Sequence, residues 1–175
     1  MCLIALSVTK SKDWNSKDAY FYKVIANRDE YHERKTTQMH WWSNKDLLAG
    51  KDEQAGGTWL GINKEGRFAA ITNLKENNDK KYLSSRGSLV TEFLESTLSA
   101  KANLEDLEKE KENFAGFNLI VGDKNGLFYL CNRLEGIFFL NEGTHALGNL
   151  TLNASTSKVE LSLIHISEPT RRVLI

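Results

Sequence analysis

The sequence predicts an α+β fold dominated by antiparallel sheet, and three observations carry that reading. Apolar, β-branched and aromatic runs recur in pairs around short turn-rich connections. One later segment has helical apolar spacing. Ten per cent aromatics and a single proline fit a β-rich globular chain. A length of 175 residues suffices for one domain with a core and is too short to demand two. Basic and acidic residues balance at 23 each, which argues against nucleic acid or an anionic membrane surface as the main partner. Cys2 and Cys131 are the only cysteines, so there is no disulfide framework and no Cys-x-x-Cys metal site. A reducing, cytoplasmic location fits that usage.

The first run, residues 2–8, suits a strand covered on both faces. It is too short to cross a membrane and lacks the preceding basic residues and small-residue cleavage pattern of a signal peptide. Residues 9–18 are polar and read as a loop, and 19–26, rich in Tyr, Phe, Val and Ile, complete an antiparallel hairpin. In a hairpin the far end of the second strand returns beside the start of the first. Asn27-Arg28-Asp29-Glu30 is therefore expected next to Cys2. Residues 31–40 are polar and irregular, and Trp41-Trp42 then suit either a pocket wall or packing under the loop. Gln54-Ala55-Gly56-Gly57 permits unusual backbone angles or close backbone approach.

Residues 58–63 and 67–73 flank Lys64-Glu65-Gly66 as a second hairpin, ending on Asn73. Residues 77–81 make a polar, lysine-rich loop. Leu89, Val90, Phe93, Leu94 and Leu98 then predict an amphipathic helix with Ser88 as its N-cap. Residues 104–113 continue as a charged, solvated helix. Residues 117–121 and 127–132 flank Asp123-Lys124-Asn125-Gly126, a third hairpin whose second strand holds Cys131 as a core thiol. Short strands follow at 136–140 and 145–147, the last ending at Gly148-Asn149.

The chemistry starts at Cys2, directly behind the initiator methionine. Cysteine is small enough there for removal of Met1 to be expected, which would put a thiol and a free α-amine on one residue. Their reference pKa values are roughly 8.5 and 7.7–8.0, so a nucleophile and a base meet near neutral pH. The commoner place for such a cysteine is a buried strand, but the expected neighbours favour chemistry. A carboxylate from Asp29 or Glu30 can hold the α-ammonium, and the Arg28 guanidinium can stabilise a thiolate or a substrate carboxylate. Asn73 and Asn149 are neutral amides at strand ends, suited to donating to an oxyanion or to capping a turn. His32, His40, His145 and His165 share no helix face and no metal-like spacing, which argues against structural zinc and leaves haem ligation open. No phosphate-binding glycine loop is present.

Several motifs stand in one order: Met1-Cys2-Leu3-Ile4, Asn27-Arg28-Asp29-Glu30, Ala55-Gly56-Gly57-Thr58-Trp59-Leu60-Gly61, Gly66-Arg67-Phe68-Ala69-Ala70-Ile71-Thr72-Asn73, Ser85-Arg86-Gly87 and Gly116-Phe117-Asn118-Leu119. With these the chain resembles the NRDE-motif family, also called the transport-and-Golgi-organisation protein 2 family, from Met1 to about residue 149. The family in turn is similar to the N-terminal nucleophile hydrolases, with choloylglycine hydrolases and penicillin V acylases as the nearest analogues. The resemblance implies an α-β-β-α sandwich of two antiparallel sheets with outer helices. It implies Cys2 as nucleophile, Arg28 and Asp29 beside it, and Asn73 and Asn149 holding the oxyanion or tetrahedral intermediate. Asn27, Glu30, Trp41 and Trp59 are the candidate substrate-binding residues, with no metal.

The partner expected on that basis is a small-molecule amide, with no bound cofactor. The eukaryotic branch implies instead a part in haem mobilisation and in membrane-lipid or Golgi homeostasis, with haem as a carried ligand and no turnover. The chain departs from the family in having Leu147-Gly148-Asn149 where a serine usually precedes the asparagine. It also has Asn153-Ala154-Ser155-Thr156-Ser157 where Asp-Thr-Pro-Trp-Pro is usual.

Residues 161–171 read like a translated transposon-type sequencing adaptor. The expected organisation is therefore a single domain over 1–160, the first part of a longer family domain, followed by a non-native tail over 161–175. Sequencing the source DNA across codon 161 tests this: adaptor sequence is expected there, and uninterrupted genomic sequence would contradict it.

Overall fold

A computed structural model describes residues 2–9, 22–76, 80, 82, 84–157, 159–161 and 163. Most of the expected loop at 9–18, residues 19–21, most of the loop at 77–81 and most of the tail lie outside the described residues. The chain divides into two compact units, one of residues 1–29 with 141–175 and the other of residues 30–140. The fold is α+β with two antiparallel sheets, as expected.

The first unit opens with the predicted hairpin of β1 (Cys2–Val8) and β2 (Tyr22–Arg28). Ile4, Ala5, Leu6 and Val8 are all buried, so β1 is covered on both faces. β2 is an edge strand with Ile25 exposed.

The second unit carries a seven-stranded sheet in simple chain order, β3 to β9. Its first strand corrects the sequence reading. Residues 36–40, expected to be irregular, form β3 (Thr36–Trp41) together with Trp41, all of it exposed. No apolar alternation marks such a strand; its ladder to β4 (Leu47–Asp52), with a register shift between Thr37 and His40, holds it. β4 was not anticipated either, although Leu47 and Ala49 bury one face of it. The second hairpin forms as predicted, β5 (Leu60–Asn63) and β6 (Phe68–Asn73), with Gly66 at φ 79° in its turn.

The helix α1 (Arg86–Glu95) begins earlier than predicted, with Ser85 in the cap position. The Ser88 hydroxyl donates to the Ser85 carbonyl at 2.9 Å, so it is bonded backwards inside the first turn rather than capping it. Leu98 falls beyond the helix and is exposed. α2 (Ala100–Glu110) is capped by Ser99, whose hydroxyl accepts from Ala102 N at 3.2 Å, and runs into a 3₁₀ turn (Lys111–Asn113). The third hairpin joins β7 (Phe117–Asp123) to β8 (Gly126–Cys131), and β9 (Phe138–Phe139) ends this sheet.

Leu47, Ala69, Ile71, Leu119, Val121 and Leu130 from the sheet form one core with Leu89, Val90, Phe93, Leu94, Leu104 and Leu107 from the helices. Each large side chain in it contributes about 1.5–3 kcal/mol of burial. β10 (Gly143–Leu147) returns the chain to the first unit, where the sheet order is β10-β1-β2. A helical stretch after it packs Val159 and Leu163 onto Ala5, Ala146 and Leu3. Among the described residues no helix is long and apolar enough to cross a membrane.

Two motif features prove to be packing devices. A Cβ on Gly57 would lie 2.8 Å from the carbonyl carbon and oxygen of Gly87, so the two backbones meet where a side chain cannot fit. Arg67 closes the C-terminal end of α1. Its Nε and Nη2 donate to the Phe93 carbonyl at 3.2 and 3.0 Å, its Nη1 to the Leu98 carbonyl at 2.8 Å, and its guanidinium lies 4.1 Å from the Phe93 ring centroid. Burial pushes the Arg67 pKa down, with Asp123 and Glu65 opposing it. Asn63 adds a bond from Nδ2 to the Leu94 carbonyl at 2.9 Å. Arg67→Met would remove the guanidinium's bonds to the Leu98 carbonyl and to the Phe93 carbonyl, which keeps only its bond from Ser96 N, and a hydrogen bond from a charged donor contributes about 1.5–3 kcal/mol. Urea unfolding is expected to show a loss of about 2–4 kcal/mol; an unchanged midpoint would show that water replaces the guanidinium without penalty.

Candidate functional site

Cys2 is the first residue of the central strand of a three-stranded sheet, so it has a neighbour on each side. On one side the β1–β2 ladder pairs Cys2 with Arg28 and Leu3 with Asn27. Directly paired residues in an antiparallel ladder share a face, so the Arg28 side chain leaves the sheet on the same side as the Cys2 thiol. On the other side β10 pairs Leu147 with Ile4. The ladder ends there, and just beyond the end of β10 the Cys2 nitrogen donates to Asn149 Oδ1 at 3.1 Å. The two residues are 147 positions apart in sequence.

The loop that carries Asn149 is closed by Asn153. Its N–H donates to the Ala146 carbonyl at 2.8 Å, and its Oδ1 accepts from Ala146 N at 2.9 Å. Asn153 has φ 57°, a left-handed conformation that asparagine tolerates better than most residues. A residue noted in the sequence only as a departure from a usual motif thus closes the turn behind Asn149. Asn27 Nδ2 donates to Asp29 Oδ1 at 2.6 Å, so this candidate substrate-binding residue steers the neighbouring carboxylate. Cys2 is half-buried, whereas Cys131 is fully buried, and neither is in a disulfide.

Four predicted site residues belong to the second unit. Asn73 ends β6 opposite Phe117 and is exposed. Glu30 Oε1 accepts from Tyr31 N at 3.1 Å, and Glu30 lines an open groove of about 600 Å³ with Tyr31, Arg34, Lys35 and Glu53. Beside it Arg34 Nε donates to Asp52 Oδ2 at 2.7 Å. Burial raises the Asp52 pKa, but the N–H groups of Ala55 and Gln54 together with Arg34 outweigh it and hold the carboxyl below its ordinary value. Trp41 is half exposed on a second open depression of about 490 Å³, with the Lys64 ammonium 5.6 Å from its ring centroid. Trp42 and Trp59 instead pack against the core. Among the described residues no three His, Cys, Asp or Glu side chains are grouped to hold a metal.

The sequence pointed to Asn149 as an amide at a strand end, but not to its bond with the Cys2 nitrogen. Nothing local signals that contact, because it depends on the register of strands from opposite ends of the chain. The interactions of Glu76 and Arg86 described below were likewise missed. The motifs Ser85-Arg86-Gly87 and Gly116-Phe117-Asn118-Leu119 marked that region.

The family model described as Transport and Golgi organisation 2 matches residues 1–172. The Transport and Golgi organization protein 2 homolog of Bos taurus is 35% identical over 154 residues, which is 82% of this chain and 56% of the relative. The Homo sapiens homolog is 34% identical over the same length, with the same coverage of both chains. An uncharacterized protein of Saccharomyces cerevisiae is 36% identical over 117 residues, 57% of this chain and 37% of its own. The chain spans a little over half the length of the mammalian relatives.

The difference in burial between the two thiols is open to direct test. Iodoacetamide on the native protein is expected to alkylate Cys2 and to reach Cys131 only after unfolding, as read by peptide mass. Equal modification of both under native conditions would contradict the placement of Cys131 in the core.

Proposed function

The chain belongs to the Transport and Golgi organisation 2 family, and we propose that it is an N-terminal-cysteine amidohydrolase acting on a small, non-peptide amide. The observation that carries this reading is the position of Cys2 between Arg28 and Asn149, with its nitrogen bonded to Asn149 Oδ1 at 3.1 Å.

Once Met1 is removed, that nitrogen is a primary amine. Donating one N–H to Asn149 holds it in place beside its own thiol. The amine takes that proton, and Cys2 Sγ attacks the amide carbonyl, forming a C–S bond as the carbonyl oxygen becomes an oxyanion. Collapse of the intermediate breaks the C–N bond, and the leaving amine takes the proton back from the Cys2 ammonium. The same amine then deprotonates a water that hydrolyses the thioester and restores the thiol. Arg28 stabilises the thiolate or a substrate carboxylate, and Asp29, steered by Asn27, holds the ammonium form. With its oxygen turned to the amine, Asn149 is the orienting group. Asn73 is assigned to the oxyanion by the family resemblance. Glu30, Trp41 and Trp59 are proposed as substrate contacts from the sequence reading alone.

Hydrolysis of a panel of N-acyl amides tests the mechanism. Cys2→Ala is expected to abolish turnover, and Asn73→Ala to lower it about 10²–10³-fold. Full activity in Cys2→Ala would rule the mechanism out. The relatives' names refer to transport and Golgi organization, and the family resemblance implies a second reading: a cytoplasmic carrier of haem or a lipid-related ligand without turnover. Titration with haem separates the two. A saturable Soret shift in a protein that hydrolyses no amide favours carriage, and its absence at micromolar protein counts against it.

A further inference from the structure

We infer that Arg86 and Glu76 are positioning residues for Asn73: they clamp Gly116, the residue that holds the strand end carrying Asn73. The inference rests on the reading of Asn73 as the oxyanion donor.

The β6–β7 ladder ends with Asn73 opposite Phe117. The next rung is a bond from Leu74 N to the Gly116 carbonyl at 2.9 Å. Arg86 Nη1 donates to that same carbonyl at 2.9 Å, and Gly116 N donates to Glu76 Oε2 at 2.8 Å. Both backbone groups of Gly116 are thus held by side chains from outside the ladder. A Cβ there would lie 2.5 Å from Glu76 Cδ, so a larger residue would push the Glu76 carboxylate out of this position. Glu76 is itself braced by Arg133, whose Nε donates to Oε1 and whose Nη2 donates to the Tyr82 hydroxyl at 3.0 Å. On the far side of the rung, Phe117 N donates to Oδ1 of the buried Asn132 at 2.8 Å.

A free strand end frays on a short timescale, and a catalytic amide must stay within about 0.5 Å of its working geometry. A clamp on the rung after Asn73 answers that requirement. It also gives a use to two motifs that the Cys2 site leaves unexplained. Ser85-Arg86-Gly87 supplies the guanidinium, fixed at the first turn of α1 by the contact of Gly87 with Gly57. Gly116-Phe117 supplies the backbone that it grips. Burial presses the Arg86 pKa down and the Glu76 charge supports it, in keeping with a guanidinium committed to this junction.

The test uses the full chain as wild type, Arg86→Met, Arg86→Lys, Asn73→Ala and the double variant Asn73→Ala/Arg86→Met. Two quantities are read: kcat and KM on an N-acyl amide that the wild type hydrolyses, and the ¹⁵N–¹H side-chain amide signals of Asn73, assigned by their loss in Asn73→Ala. Arg86→Met is expected to lower kcat about tenfold to a hundredfold with KM little changed, and to add nothing in the Asn73→Ala background. It is also expected to shift the Asn73 signals, with Arg86→Lys recovering part of both effects. Should Arg86→Met fail to fold, Arg86→Lys carries the comparison, with smaller effects of the same sign. An equal loss in both backgrounds, or Asn73 signals unmoved in a folded Arg86 variant, overturns the inference. If the wild type hydrolyses no probe, the amidohydrolase reading has failed, and the Asn73 signals alone decide whether the clamp exists.

Discussion

The backbone ladder on both sides of β1 sets which residues share space with Cys2, and every chemical statement about the site depends on its register. A shift of one residue would turn Arg28 to the opposite face and carry Asn149 past the Cys2 nitrogen. Burial fixes the register. Ile4, Leu6 and Val8 lie on one face of β1, and Ala5 pairs with Ala146 on the other, under Val159. A slipped strand would exchange these for Ser7 and a mismatched alanine, so apolar packing far from the thiol holds the neighbours of Cys2 in place.

In the second unit the organising constraint is the satisfaction of backbone groups at element ends. The last carbonyls of α1 go to Asn63 and Arg67, and the first N–H of α2 goes to the Asp123 carboxylate at 2.7 Å. Asn132, fully buried, gathers the carbonyls of Lys111, Phe114 and Ala115 on its Nδ2, which shapes the connection into β7. On the strands themselves Tyr129 donates to Asn118 Oδ1, and Asn118 Nδ2 donates to Thr72, a buried polar chain with a named partner at each step. Among the described residues no buried side-chain nitrogen or oxygen lacks a partner. Such fully paired networks cost little to bury and penalise alternatives that break them.

How much of this was legible follows from where the signal lay. The Lys64-Glu65-Gly66 and Asp123-Lys124-Asn125-Gly126 turns announced their hairpins, because glycine at positive φ is a local requirement. The spacing of Leu89, Val90, Phe93 and Leu94 announced α1 for the same kind of reason. Pairing of β1 with β2 placed Arg28 beside Cys2 by topology alone. β3 escaped because all six of its residues are exposed, leaving no alternation to read. Ser85 and Ser88 are equally good cap residues by type, and only the fold decides between them. The Asn149 contact and the Gly116 clamp span long separations in sequence, so no local pattern could reveal either.

The central claim is that the nitrogen bonded to Asn149 is the free amine of Cys2. Intact and N-terminal peptide mass of the purified protein measures this directly. A chain shorter by its methionine, beginning with an unmodified Cys2, is the predicted result. Retention of Met1, which leaves an amide nitrogen unable to accept the thiol proton, would contradict it.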